Sequence, residues 1–183
     1  MPAATQVDEY RNGATAFLSN FMQQEPPTEC DPISAIDFGA PKVKLSIEDL
    51  AAALDYDLYN REWFVTGLIN PIYFADDFQF QDPDVKLTGV EEYARGVYKL
   101  FDQDTSRAEI ISTVVNATVP NTITVTWRLS GGVSIGPGLD IKPYICYTDF
   151  TVDEDSGLIV FQEDRFSIPG KPQEGRTCSL SSN

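Results

Sequence analysis

A change in hydrophobic period along the chain restricts the fold more than any other feature of the sequence. Ile123, Val125, Trp127 and Leu129 alternate with polar residues, as in a strand with one buried face. Altogether four late segments have the composition and spacing of strands: 109–118, 121–130, 143–153 and 158–167. Earlier segments have the helical period and supply helices to cover that face. The order predicts an α+β domain.

Two helices have recognisable starts in the first half of the chain. Ser46 and Thr88 are predicted N-caps, each with an acidic residue three positions on, Asp49 and Glu91. These helices are expected to run to about residues 59 and 101. A shorter helix is predicted within 63–74, broken before a proline.

The predicted domain is preceded and followed by segments of different character. Residues 1–43 are expected to hold an amphipathic helix over 6–23 and then an irregular, proline-rich connection. Residues 44–168 form the predicted domain, and 169–183 are expected to be a flexible polar tail.

Composition excludes several classes of function. The net charge of −15 disfavours nucleic acid as a partner, because phosphate backbones are also negative. The chain has no histidine, which removes histidine-based triads and metal sites, so we expect no metal and no cofactor. No apolar run approaches the length of a membrane span. We expect a soluble protein of the cytoplasm or the plastid.

The strand predicted at 77–82 carries the strongest candidate for chemistry. Its alternation places Phe78, Phe80 and Asp82 on one face. A carboxyl against aromatic walls is desolvated, which raises its pKa and suits it to accept protons near neutral pH. An aspartate before proline is equally typical of a turn, where its side chain binds backbone N–H groups. Both interpretations of Asp82 stay open.

The segment from Ile72 to Pro83, followed by Thr88-Gly89, resembles the nuclear transport factor 2-like superfamily, which includes ketosteroid isomerase and SnoaL-like cyclases. Trp127 near a strand end and the hairpin at Gly157 resemble an uncharacterised plant and cyanobacterial family within it. The resemblance implies a bent antiparallel sheet, shaped as a cone, with helices on its concave face and an apolar cavity. It also implies a homodimer.

The resemblance also implies roles for particular residues. Asp82 corresponds to the general base of the isomerase, and Tyr59 or Tyr56 to its oxyanion-binding tyrosine. Asp164 shares a strand face with Phe166 and is expected to point inward as a second acid. The expected ligand-binding residues are therefore Phe78, Phe80, Tyr56, Trp127 and Asp164.

Three classes of function are compatible with these residues. The first is binding of a small apolar molecule in the cavity. The second is a cofactor-independent isomerase, cyclase or dehydratase that uses Asp82 as base. The third is a non-catalytic interaction or oligomerisation subunit. Fold alone does not choose among them.

Overall fold

The computed structural model describes residues 31–134 and 138–166. The helix predicted over 6–23 and the tail predicted over 169–183 lie outside the described residues. The predicted irregular connection is described from residue 31 onward, where it contains one short 3-10 helix at Pro32–Ala35.

Helices and strands follow the predicted order. The α-helices are α1 (Ile47–Arg61), α2 (Trp63–Thr66) and α3 (Val90–Leu100), and a second 3-10 turn covers Pro71–Tyr73. The strands are β1 (Phe74–Gln81), β2 (Lys86–Thr88), β3 (Arg107–Val115), β4 (Thr122–Val133), β5 (Leu139–Val152) and β6 (Ile159–Phe166).

The six strands form one open sheet in the order β2-β1-β6-β5-β4-β3. Neighbouring strands are antiparallel except β1 and β6, which pair in parallel. The fold class predicted from the sequence, an α+β domain with a bent sheet covered by helices, is confirmed, but the sheet is mixed and not wholly antiparallel as predicted. The parallel pair and the short strand β2 are additions that the sequence pattern did not indicate. Register shifts interrupt every ladder except the short β1–β2 pair, which fits a bent sheet.

Helix α1 begins as predicted. The Ser46 hydroxyl accepts the N–H of Asp49 at 3.1 Å and so caps the helix. The helix ends at Glu62, whose backbone is left-handed (φ 46°) and redirects the chain into α2. The short helix α2 ends at Gly67 rather than shortly before Pro71, because the backbone there is also left-handed (φ 70°).

The predicted cap of the later helix is wrong in detail. Thr88 belongs to strand β2, and the N-cap of α3 is Gly89 at φ 93°, with no side-chain hydrogen bond. Glu92, not Glu91, turns back to accept the Thr88 N–H, at 3.4 Å. Glu91 instead pairs with Arg95 one turn later. A positive φ suits glycine, so the conformation of Gly89 decides where this helix starts.

The core lies between the helices and one face of the sheet. The inward residues of β4 predicted from the alternation are all buried: Ile123, Val125, Trp127 and Leu129. They belong to one hydrophobic core with Leu54 and Leu58 of α1 and with Phe64 of α2, which stacks on Trp127 with ring centroids 4.7 Å apart. On the opposite face of β4, Arg128 pairs with Glu109 of β3.

Candidate functional site

A cavity of about 170 Å³ lies between α3 and the inner face of the sheet. Most of its wall is apolar, with side chains from α2, α3 and four strands that include Phe64, Phe80, Val97, Trp127, Leu129 and Phe166. An apolar cavity of about 150 Å³ is enough to hold benzene. The space therefore suits a molecule with one small ring.

Asp164 of β6 is the most deeply placed charged group of this cavity. Its side chain is 8% exposed and lies among the lining residues. Its Oδ1 accepts hydrogen bonds from the Thr148 hydroxyl at 2.7 Å and from the Gln162 amide at 3.1 Å. Within the described part of the chain, its Oδ2 makes no hydrogen bond. One carboxyl oxygen is thus held in place, and the other is available.

Asp164 is the middle of a buried chain of hydrogen bonds. At one end the Trp127 indole N–H donates to the Thr148 hydroxyl at 3.0 Å, and that hydroxyl donates to Asp164. At the other end the Gln162 amide donates both to Asp164 and to the Tyr93 hydroxyl oxygen, the latter at 3.0 Å. Because the Tyr93 oxygen accepts from Gln162, its own proton remains available to a guest.

Sheet register explains why these groups meet. Thr148 of β5 lies directly opposite Asp164 of β6, and Phe80 of β1 lies opposite Gln162. Thr148, Gln162 and Asp164 all occupy inward positions and are buried. Tyr93 reaches them from α3, with its ring 4.8 Å from that of Phe80.

Burial sets the acid–base properties of the site. Desolvation raises the pKa of Asp164 to about 7, although the hydrogen bonds from Thr148 and Gln162 act in the opposite direction. Desolvation, together with the nearby Asp164 charge, also raises the pKa of Tyr93 well above its ordinary value. Near neutral pH, Asp164 can therefore gain or lose a proton, whereas Tyr93 keeps its hydroxyl proton.

Asp82 lines the same cavity just beyond the end of β1 and also closes a turn. Its Oδ1 accepts the backbone N–H groups of Asp84 at 2.7 Å and of Val85 at 2.5 Å. Burial raises its pKa, and these two hydrogen bonds partly counter the rise. The turn interpretation is therefore correct in geometry. Because Asp82 also lines the cavity, its side chain can still contact a bound molecule.

Two substitutions separate the turn role of Asp82 from any role in the cavity. Asp82→Ala removes the acceptor of both N–H groups and should lower the free energy of unfolding by about 1–3 kcal/mol. Asp82→Asn keeps an oxygen for those donors and should cost clearly less. Urea unfolding of the two variants measures the difference. Equal losses would show that the turn does not depend on this acceptor.

Three of the residues predicted for the site lie elsewhere. Tyr56 and Tyr59 are 70% and 76% exposed, so neither contacts the cavity, and their predicted roles as ligand-binding and oxyanion-binding residues are corrected. Phe78 is fully buried but is not a lining residue, because it packs against the rings of Phe74 and Tyr93. The tyrosine that does line the cavity is Tyr93.

The remaining predicted residues, Asp82, Phe80, Trp127 and Asp164, all line the cavity. The polar groups of the buried hydrogen-bond chain that were not predicted are the Tyr93 hydroxyl, Gln162 and Thr148. The sequence did indicate two of them. Thr148 and Gln162 are polar residues at inward positions of strands whose other inward residues are mainly apolar.

The described residues place limits on other chemistry. Across 31–134 and 138–166, no three or more acidic or cysteine side chains come together in a way that could hold a metal ion. Over the same ranges, no helix has the length and apolar character that a membrane crossing requires.

Comparison with known proteins gives structural neighbours only. No protein-family model and no curated protein sequence matches the chain. Among solved structures, it is similar to an NTF2-like protein of unknown function from Cytophaga hutchinsonii, at 13% identity and a TM-score of 0.45, covering 69% of this chain and 94% of the other. It is also similar to a protein provisionally named a SnoaL-like polyketide cyclase, from Jannaschia, at 15% identity and a TM-score of 0.49, covering 69% and 91%.

A further neighbour is provisionally named a ketosteroid isomerase, from Kribbella flavida, at 16% identity and a TM-score of 0.47, covering 75% and 89%. At these identities and TM-scores, none of the neighbours assigns a ligand or a reaction to this chain. The fold description therefore stands on the chain's own sheet order and helix placement.

Proposed function

We propose that this protein binds a small, largely apolar molecule that carries one polar group, in the cavity between α3 and the sheet. The observation that carries the proposal is the open oxygen of Asp164 at an apolar, ring-sized cavity. Apolar walls with a few convergent polar groups are the usual composition of a small-molecule site. The Tyr93 hydroxyl supplies a donor beside that oxygen.

The buried polar chain favours binding over a purely structural role. Burying an ionisable group costs free energy unless its hydrogen bonds are satisfied. Within the described residues one Asp164 oxygen makes no hydrogen bond, and the Gln162 amide oxygen is buried without a partner. A guest that donates a hydrogen bond to Asp164 would lower this cost, which gives the site its preference for a polar end on the guest.

A small aromatic alcohol tests this proposal. Benzyl alcohol, titrated into the protein and followed by NMR, is expected to shift the Trp127 indole N–H signal. Val97→Phe places a ring into the cavity from α3 and should weaken binding at least about tenfold by excluding the guest. Val114→Phe is the matched control, because Val114 is 51% exposed on the edge strand β3, which contributes no residue to the cavity lining.

The alternative outcomes are equally clear. Equal affinity for the alcohol in the two variants would mean that it binds without using the cavity. Binding that leaves the Trp127 signal unmoved would contradict the proposed site.

Proton transfer is the second candidate, favoured by the coincidence of Asp82, Asp164 and Tyr93 on one cavity. A carboxyl with a pKa of about 7 can accept a proton from carbon, and a tyrosine hydroxyl can donate to the oxygen of the enolate that forms. Exchange of the α-protons of cyclohexanone in deuterated water tests this candidate. Acceleration over buffer that is lost in Asp164→Asn supports it, and exchange at the buffer rate removes it.

The predicted homodimer and interaction-subunit role stay predictions. Their best support is the edge strand β3, which exposes Ile111, Val114 and Val115 to solvent. Unpaired edges with apolar residues are potential association surfaces.

A further inference from the structure

The charges around the cavity are all of one sign. Its charged lining residues are Asp82, Asp84 and Asp164, and among the described residues no lysine or arginine lines it. The chain as a whole carries a net charge of −15. An anionic guest would meet repulsion at the cavity and on approach, because like charges raise the energy of both.

Among the described residues Asp164 has no cation beside it, unlike three other buried or partly buried carboxylates. Asp31 pairs with Arg95 at 2.6 Å, Asp57 lies 3.7 Å from Arg61, and Asp149 pairs with Arg165. The donors to Asp164 are a hydroxyl and an amide, both neutral. Buried charges in proteins are normally paired, so a cation bound beside Asp164 would offset the cost of burying its ionised form.

The walls suit a cation as well. Rings of Phe64, Phe80, Tyr93 and Trp127 line the space around the carboxyl. The faces of aromatic rings carry partial negative charge and attract ammonium groups, tryptophan most strongly. A carboxylate enclosed by aromatic rings is thus complementary to an ammonium group on a small apolar body.

We propose that the guest of this cavity is a protonated amine with a small hydrocarbon body, whose ammonium group binds the open oxygen of Asp164. This inference rests on the proposed function, since it names the chemical class of the molecule that the cavity holds. A neutral guest uses the same walls but gains no ion pair.

The ion pair gives the affinity a definite dependence on pH. The titratable groups that act on Asp164 or share its cavity are Tyr93 from α3, Asp82 and Asp84 beyond β1, and Tyr144 and Cys146 from β5, with Asp149 acting from the opposite face of β5. None of them is a cation, so an ammonium group is the counter-charge that favours ionised Asp164. The affinity for an amine should therefore rise as the pH rises through about 7, where Asp164 loses its proton.

Three probes of matched size measure the preference: benzylamine, benzyl alcohol and benzoate. Isothermal titration calorimetry at pH 8 should show benzylamine binding at least about tenfold more tightly than benzyl alcohol, because a charge-assisted hydrogen bond is stronger than a neutral one. Benzoate should bind most weakly. The advantage of the amine over the alcohol should shrink at pH 6.

Substitutions of equal charge change assign the preference to one carboxyl. In Asp164→Asn the ratio of amine to alcohol affinity should fall to about one. Asp149→Asn also removes one negative charge, but on the side of β5 that faces Arg165, and should keep the wild-type ratio.

The outcomes separate this inference from the proposed function. If the alcohol binds as tightly as the amine, or if Asp164→Asn keeps the preference, the amine inference is overturned while ligand binding stands. If none of the three probes binds, both fail.

Discussion

Between pH 4 and pH 8, the free energy of unfolding of Asp164→Asn is expected to fall by about 4 kcal/mol less than that of the wild type. Burial raises the pKa of Asp164 from 3.8 to about 7. Between these values the folded protein holds a proton that the unfolded chain has lost, so the free energy of unfolding falls as the pH rises. Moving the pKa from 3.8 to about 7 corresponds to about 4 kcal/mol in the free energy of unfolding.

The variant has no titrating group at this position, so its stability should fall less over the same range. Urea unfolding of wild type and variant at pH 4, 6 and 8 measures the two slopes. Asp102→Asn is a useful control, because hydrogen bonds from Thr105 lower the pKa of that exposed carboxyl. In Asp102→Asn, the free energy of unfolding should fall with rising pH at least as steeply as in the wild type. Identical slopes in wild type and Asp164→Asn would show that Asp164 titrates normally.

Trp127→Ala is expected to lower the free energy of unfolding by about 3–5 kcal/mol. The side chain is 2% exposed, stacks on Phe64 and donates its indole N–H to Thr148. Its removal enlarges the cavity and frees one end of the buried polar chain. Chemical denaturation measures the loss.

Trp127→Phe is the matched variant, because it retains a ring against Phe64 and loses only the indole donor. It should cost about 1–2 kcal/mol. A loss below about 1.5 kcal/mol for Trp127→Ala would mean that the surrounding helices close the space and that the cavity wall is not rigid.

Five of the six strands and the start of α1 could be predicted because each depends on local pattern. The alternation around Trp127 fixes which residues face inward, and a serine before an apolar helical stripe fixes the cap at Ser46. The start of α3 was misplaced because it depends on the left-handed backbone of Gly89, which a capping pattern at Thr88 does not reveal. The parallel pairing of β1 with β6 joins distant segments, and no local pattern encodes it.

The misplaced tyrosines have a different cause. Leu50, Leu54 and Leu58 define the buried stripe of α1. Tyr56 lies two residues beyond Leu54, a rotation of about 200° around the helix at 3.6 residues per turn, so it must face away from that stripe. The resemblance to the isomerase suggested a role that the helical period of this chain already excluded. Tyr93 belongs to the buried stripe of α3. The helical pattern counts it as an apolar residue and gives no indication that its hydroxyl takes part in a polar network.

Asp164 shows what the alternation of side chains along a strand can and cannot predict. Alternation on β6 predicted an inward side chain, and Asp164 is buried. Its partners could not be predicted, because Thr148 comes from the neighbouring strand through register and Tyr93 from a helix through packing. Long-range register of this kind is set by the whole core and not by any one segment.

A crystal structure of the protein with benzyl alcohol tests the central claim most directly. We expect the ring against Trp127 and Leu129, and the hydroxyl within hydrogen-bonding distance, about 2.5–3.2 Å, of the open oxygen of Asp164 or of the Tyr93 hydroxyl. An alcohol bound only outside the cavity, or one inside it with its hydroxyl directed away from both groups, would contradict the account.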